Sequence, residues 1–264
     1  MESQLRGICK LCGIDRELRN SHAIPDSIFN VIFKENSGKA ILLTVDGRKI
    51  DYTSDSLDTK QLCDICEKKL NHSYEKYSIN LLRNSYRNVS KESEGINFSE
   101  VDVEKFMKFI LAIYWRAAVS EHESYRGAVM HEELLYKNGA EKLRLCLLEN
   151  SKIPASLFSV KIRRLRDLSG SFSLQTLKNL IVTPFHRPYG KDEKVSVNFV
   201  IEGFYISVIM PALSDKERRK DMVLYAKGNQ FTAGYVDALS IPELKETIRV
   251  MGLKIRMGHS NVGS

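Results

Sequence analysis

The chain lacks any hydrophobic run long enough to cross a bilayer: Phe109 to Trp115 is the longest apolar stretch, where a spanning helix needs about 20 residues. Met1 to Lys10 lacks the apolar core of a signal peptide. These two absences point away from membranes and make the cytoplasm the expected location. No internal repeat and no low-complexity tract is present, which excludes a repeat array and a disordered chain. Cysteine is scarce, five in 264 residues, and a chain of this length buries a core without disulfide staples. What is there, 43% hydrophobic and 28% charged residues, is the balance of a globular protein, for which two domains are expected.

An acidic excess is also missing. Lys and Arg number 40 against 33 Asp and Glu, a formal charge of +7. Residues 1 to 80 hold 12 of each sign, so the whole surplus lies in the remainder. Such a surplus suits a polyanionic partner, because Lys and Arg neutralise phosphates and release counterions, and it suits a solvated surface equally. Lys161, Arg163, Arg164 and Arg166 fall within six residues and are the expected phosphate-contacting strip, with Lys216 to Lys220 a similar run. Neither is interleaved with aromatic residues, so no sequence-specific reading of bases is expected from them.

The few cysteines are arranged in pairs: Cys9-Lys-Leu-Cys12 and Cys63-Asp-Ile-Cys66, with Cys146 alone. A two-residue gap lets both thiolates of a pair reach one ion from a tight turn, and two such turns complete a closed tetrahedral shell for zinc. Gly13 follows Cys12 and permits the positive φ of a knuckle turn. Cys146, within Glu141-Lys-Leu-Arg-Leu-Cys-Leu-Leu, reads as an ordinary buried helix residue.

Local patterns then set the expected elements. Pro25 is placed to open a short helix. Residues 39 to 53 read as a β-hairpin closed by a type I′ turn at Asp46-Gly47. Leu62, Ile65, Leu70 and Tyr77 have helical spacing, which puts the second cysteine pair at the start of a helix. Residues 88 to 100, rich in Ser, Asn and Glu, read as a linker. Asp102 caps a helix from Val103 to about Ser120, in which Trp115 and Arg116 are expected in core packing and a buried ion pair. Further helices are expected near 124 to 137, near 140 to 150 and from Pro242 to Gly252, with strands at Phe158 to Ile162, Val195 to Ile201 and Phe204 to Met210. His186 to Gly190 reads as a turn, and Leu174 to Leu180 as helix or strand.

Together Cys9-x-x-Cys12, Ser21-His22-x-x-Pro25 and Leu62-Cys63-x-x-Cys66-Glu67 resemble the zinc-bearing HNH, or His-Me finger, endonucleases. The resemblance covers about the first 75 residues. It implies a treble-clef, ββα-metal fold, built as a knuckle, a β-hairpin and a helix carrying the last two ligands. It also implies catalytic roles for His22, Asp58 and Glu67. His22 matches the general base that deprotonates water, a task suited to imidazole. Glu67 stands where the family has a metal-binding His, and with His72 it is the expected holder of a catalytic Mg²⁺ or Mn²⁺. His72 with Glu75, on one helix face, is the substitute pair. Asp58 stands for the family's Asn, and Ser21 for an Asp that helps to hold the metal. Other readings stay open: His22 bonded to nearby backbone, Glu67 favoured by the helix dipole alone, and Asp58 as an N-cap.

The resulting expectation is an α+β protein. Residues 1–90 form a zinc-stapled module with Cys9, Cys12, Cys63 and Cys66 as ligands, and residues 91–264 a helical segment and a C-terminal mixed α/β domain with antiparallel strands. The expected function is metal-dependent hydrolysis of phosphodiester bonds in DNA, in an antiviral setting, while the second part binds substrate, forms a homo-oligomer or senses a trigger. The alternative is a non-catalytic zinc module that binds nucleic acid or a protein.

Overall fold

A computed structural model describes residues 5–42, 50–83, 88–128, 139–190 and 194–259. The chain opens with β1 (Arg6–Ile8), turns at Cys9 to Cys12, and returns as β2 (Asp15–His22) antiparallel to it. Gly13 has a φ of 73°, and its N–H closes the turn on the Cys9 carbonyl at 2.8 Å. Next come α1 (Asp26–Glu35), which Pro25 introduces, and β3 (Ala40–Leu42) paired with β4 (Asp51–Thr53). The expected 39–53 hairpin is thus present in its strands, while Asp46 and Gly47 lie outside the described residues. It is not the hairpin that frames the knuckle: β2 pairs instead with β5 (Asp58–Cys63), across an insertion of residues 23–57, in a sheet ordered β1-β2-β5.

Helix α2 (Asp64–Leu70) starts straight from β5, winds through a π-turn at Asn71–Glu75 and continues as α3 (Lys76–Leu82). The helix therefore begins two residues later than the apolar spacing predicts. Asp58 starts a strand and caps nothing; the cap position of α2 is Cys63.

Residues 88–100 are not a linker. They form β6 (Val89–Lys91) and β7 (Gly95–Phe98), which enter a seven-stranded sheet. Composition misleads here because β6 is an edge strand, whose Ser90 and Lys91 face water, and only Ile96 and Phe98 of β7 reach the core. Helix α4 (Val103–Val119) follows, with the Asp102 carboxylate accepting from the Lys105 N–H at 2.9 Å. A short 3₁₀ turn at Glu123–Tyr125 covers the start of the helix expected at 124–137; residues 129–138 are outside the described set. Then come α5 (Gly139–Glu149), β8 (Ser159–Arg166), α6 (Leu174–Lys178), β9 (Val182–Tyr189), β10 (Lys194–Ile201), β11 (Phe204–Met210), α7 (Asp215–Asp221), β12 (Phe231–Asp237) and α8 (Pro242–Arg256).

The large sheet runs β6-β7-β12-β8-β11-β10-β9, antiparallel except for the β12–β8 pair. Strand β9 contains the segment read as a turn. Pro184 and Pro188 are tolerated because β9 is an edge, where a missing N–H breaks no ladder bond. Glu202 and Gly203, with φ of 50° and 73°, make the tight turn between β10 and β11.

Thirteen of the 17 residues of α4 are buried, on all sides of the helix, which makes it an interior strut and not a surface helix. Its side chains share one core with Cys9, Leu62 and Leu70 on one side and with Phe204, Ile206 and Phe231 on the other. That core crosses residue 90, where the domain boundary is expected. Arg83, at the end of α3, adds a polar tie to the Glu202 carboxylate at 2.7 Å.

Candidate metal centre and the cleft beside His22

The knuckle and the start of α2 bring Cys9, Cys12, Cys63 and Cys66 together, with all four sulfurs within 4.8 Å of one another and Cys12 Sγ 4.0 Å from Cys63 Sγ. Four sulfurs bound tetrahedrally at about 2.3 Å would stand roughly 3.8 Å apart, so the set can hold a metal ion with a small contraction. The backbone already favours it: the Cys63 N–H points at Cys9 Sγ at 3.4 Å, and Lys10 N–H bonds the Gln61 carbonyl at 3.0 Å, locking the knuckle to β5. Hydrogen bonds from the Cys66 thiol and from backbone N–H groups pull Cys9 down to about 4, and that same contact with Cys9, together with burial, pushes Cys66 far up. The surroundings therefore favour the charged form at Cys9, and a cation held by the four sulfurs would favour it at the others too. Cys146 is the buried α5 residue expected, its thiol pointing at the Ser151 carbonyl at 3.2 Å.

Ser21 has a different task from the one its place in the motif implies. Its buried hydroxyl accepts from Leu62 N–H at 3.1 Å and donates to the Arg19 carbonyl at 3.3 Å. Those bonds secure a β-bulge: Arg19 pairs with Leu62 and Asn20 with Lys60, leaving Gln61 as the extra residue.

His22 ends β2 directly opposite Asp58. Its Nε2 lies 2.8 Å from Ser56 Oγ and 3.8 Å from Asp26 Oδ1, and its side chain is 19% exposed. With Nε2–H donating to Ser56, the Nδ1 lone pair has no partner among the described residues. Asp58 lines a cleft of about 400 Å³ together with Lys10, Asn20, Lys60, Gln61 and Glu121. Lys10 is held by Val119 O and Glu121, whereas Lys60 has no ion-pair partner among the described residues. Gln61 is 1% exposed, and neither end of its amide is hydrogen-bonded among the described residues.

Glu67 faces an arginine. Its Oε2 lies 3.6 Å from Arg116 NH1, and Arg116, buried on α4, also bonds Glu75 through NH2. Burial works against the Arg116 charge, and the Glu75 and Glu67 carboxylates outweigh it, holding its pKa above the usual value. This is the buried ion pair expected at Trp115-Arg116, with partners that sequence reasoning did not name. His72 is exposed on the π-turn. Among the described residues, only the four cysteines form a group of three or more metal-ligating side chains. Glu67 and His72, the pair expected to hold Mg²⁺ or Mn²⁺, gain no third ligand among the described residues, and Glu75 also faces Arg116. Glu67 Oε1 and Arg116 Nε are buried and have no hydrogen-bond partner among the described residues.

A second imidazole, His122, lies 3.4 Å from Asp55, next to Ser56, but its Nδ1 accepts the Ser124 N–H at 3.1 Å. That bond makes His122 the cap of the 3₁₀ turn.

The basic run on β8 does not form one strip. Strand alternation sends Lys161 and Arg163 to one face of the sheet, where Lys161 meets Asp221 at 3.4 Å and Arg163 lies 5.0 Å from the Tyr205 ring. Arg164 and Arg166 go to the other face, over Phe204 at 4.7 Å and Tyr235 at 5.5 Å.

No family model, no curated protein and no solved structure matches the chain. No helix among the described residues is long and apolar enough to cross a membrane.

Proposed function

We propose that the chain is a zinc-stapled phosphodiester hydrolase acting on DNA, built on the treble-clef scaffold of the HNH enzymes, with His22 as its general base. Zinc suits the centre because a closed set of four thiolates is a structural zinc shell, and in a reducing compartment those thiols stay unpaired. The knuckle, the antiparallel pair β2 and β5, and the start of α2 at the last two cysteines support the treble-clef reading.

The observation that carries the reading is the state of His22. Ser56 and Asp26 engage one ring nitrogen, and the other has no hydrogen-bond partner among the described residues, which supports an imidazole that takes a proton from water. Asp58, paired with His22 across the two strands, lines a neighbouring cleft with Lys60, which would meet the phosphate charge. No step is assigned to a catalytic divalent ion; of the pair expected to bind one, Glu67 faces Arg116 and His72 is exposed. An antiviral setting belongs to the same proposal and rests on the HNH resemblance alone.

Plasmid nicking by purified protein, with and without added Mg²⁺ or Mn²⁺, tests the proposal against His22→Ala. Cleavage by the wild type and loss of about a hundredfold or more in the variant is expected, the usual scale for removing an acid–base group. Equal nicking by both proteins would eliminate His22 as the base.

One observation favours a second reading, a non-catalytic zinc module that binds nucleic acid or a protein. Two positions that hold the metal in HNH enzymes are used here for structure, Ser21 in the bulge and Glu67 on Arg116. DNA retention with no cleavage under any divalent ion would decide for it.

A further inference from the structure

A β-bulge disrupts the ladder locally and re-aims a side chain, and such bulges gather beside active sites. The bulge in β5 turns on Gln61, the extra residue between Lys60, which pairs with Asn20, and Leu62, which pairs with Arg19. Its backbone is fixed on both sides: the Gln61 carbonyl accepts the Lys10 N–H at 3.0 Å, and the Ser21 hydroxyl accepts the Leu62 N–H at 3.1 Å. The side chain is left unmatched. Gln61 is 1% exposed, yet neither its amide nitrogen nor its amide oxygen has a hydrogen-bond partner among the described residues. A donor and an acceptor withdrawn from water without partners destabilise a fold, and a methionine would fill the same space without that loss.

Gln61 also lines the cleft of about 400 Å³, a volume within the roughly 300–1,000 Å³ range of small-ligand sites. A residue that lines a cleft and is almost fully buried stands at its floor. The other polar groups of the cleft divide by their partners. Lys10 is held by Val119 O at 2.7 Å and by Glu121 at 3.0 Å, and the Thr59 hydroxyl lies 3.2 Å from the Ser120 hydroxyl. Lys60 and Asp58, by contrast, have no ion-pair partner among the described residues. Two residues apart on β5, they stand on one face of the strand. One free ammonium, one free carboxylate and one unmatched amide therefore share a single cleft.

We infer that this cleft takes one unpaired nucleotide of the strand to be cut, with Lys60 on its phosphate and Gln61 on the edge of its base. The inference rests on the phosphodiester reading and names the form of DNA it acts on. A primary amide offers an N–H beside a C=O, and adenine answers both with N7 beside N6–H, the pairing that glutamine makes with that base. In a duplex that edge lies at the bottom of a groove between two backbones, out of reach of a group at the floor of a cleft. A base outside the stack can enter. Asp58 accepts from a donor on the same nucleotide, and its negative charge, on the face that carries Lys60, makes a bare phosphate ion a poor occupant.

The test is calorimetric titration of the full chain with dAMP and with 2-deoxyribose 5-phosphate, which carries the same sugar and phosphate and no base. The wild type should bind dAMP about tenfold tighter or more, the scale of a bidentate amide contact to a base. Gln61→Met should remove that advantage and leave the sugar phosphate as in the wild type, whereas Lys60→Gln should weaken both ligands. Without ligand, Gln61→Met should melt no lower than the wild type, because it removes unmatched polar groups. If that variant does not fold, 7-deaza-dAMP carries the test: it lacks N7 and should bind the wild type about tenfold more weakly than dAMP. A short oligo-dA strand should displace dAMP better than the same strand paired with oligo-dT. Equal affinity for dAMP and the sugar phosphate, dAMP binding unchanged in Gln61→Met, or equal displacement by single and paired strands would overturn the inference. Since dAMP has no internucleotide bond to cut, Gln61-dependent binding without plasmid nicking would remove the His22 reading alone, and nicking without base-dependent binding would remove this inference alone.

Discussion

Removal of the metal from the cysteine centre is expected to unfold far more than the knuckle. Three of the four ligands, Cys9, Cys63 and Cys66, are buried and belong to the same core as α4 and the large sheet. Structural zinc contributes roughly 10–16 kcal/mol in small zinc domains, as much as the roughly 5–15 kcal/mol of net stability of a whole domain. Stripping the ion therefore puts the entire margin at risk, and a loss of 10 kcal/mol in a chain of this size lowers the melting midpoint by about 20 °C or more. Trp115 offers an internal reporter, because the chain has one tryptophan and it sits 2% exposed on α4. Titration with a strong chelator, followed by tryptophan emission and far-ultraviolet circular dichroism, should show a red shift that tracks the loss of helix. Elemental analysis should return one zinc per chain before treatment. A protein purified without metal yet melting normally would refute the reasoning, and so would chelation that leaves both signals and the midpoint unchanged.

Other outcomes follow from the interior charges. Replacing Arg116 by Met strands the Glu75 and Glu67 carboxylates and should cost about 3–5 kcal/mol in denaturant unfolding, with partial recovery when Glu75→Gln is added. Full stability of the single variant would show that the ion pair is not sheltered from water. Burial raises Tyr74 to about 12, so its contribution is complete below pH 10 and is lost as pH rises through 12. Urea midpoints should accordingly fall across that window by an amount near 2–3 kcal/mol of stability, less so in Tyr74→Phe, and an identical fall in both proteins would remove Tyr74 as its source.

Where structure depends on neighbours in sequence, the residues announce it. Asp102 caps α4, Gly203 turns β10 into β11, and the cysteine spacing foretells a cluster. Strand β6 is illegible because an edge strand keeps the polar composition of a loop, and β9 because two prolines at an edge look like those of a turn. The basic run on β8 is dense in sequence but divided in space, since successive residues of a strand face opposite ways. For the site, His22 and the knuckle are visible in their motifs, whereas the fate of Glu67 depends on Arg116, 49 positions later on another helix. The bulge at Gln61 is a matter of pairing register, which no local pattern reports.

The interior position of α4 also bears on how this molecule can be divided. A fragment cut at residue 90 would strip one flank of a helix that is buried on all sides and leave Arg116 in the interior without Glu67 and Glu75. Neither piece would then be an independent part to transplant; the thiol-bearing half and the sheet-bearing half are made soluble by each other.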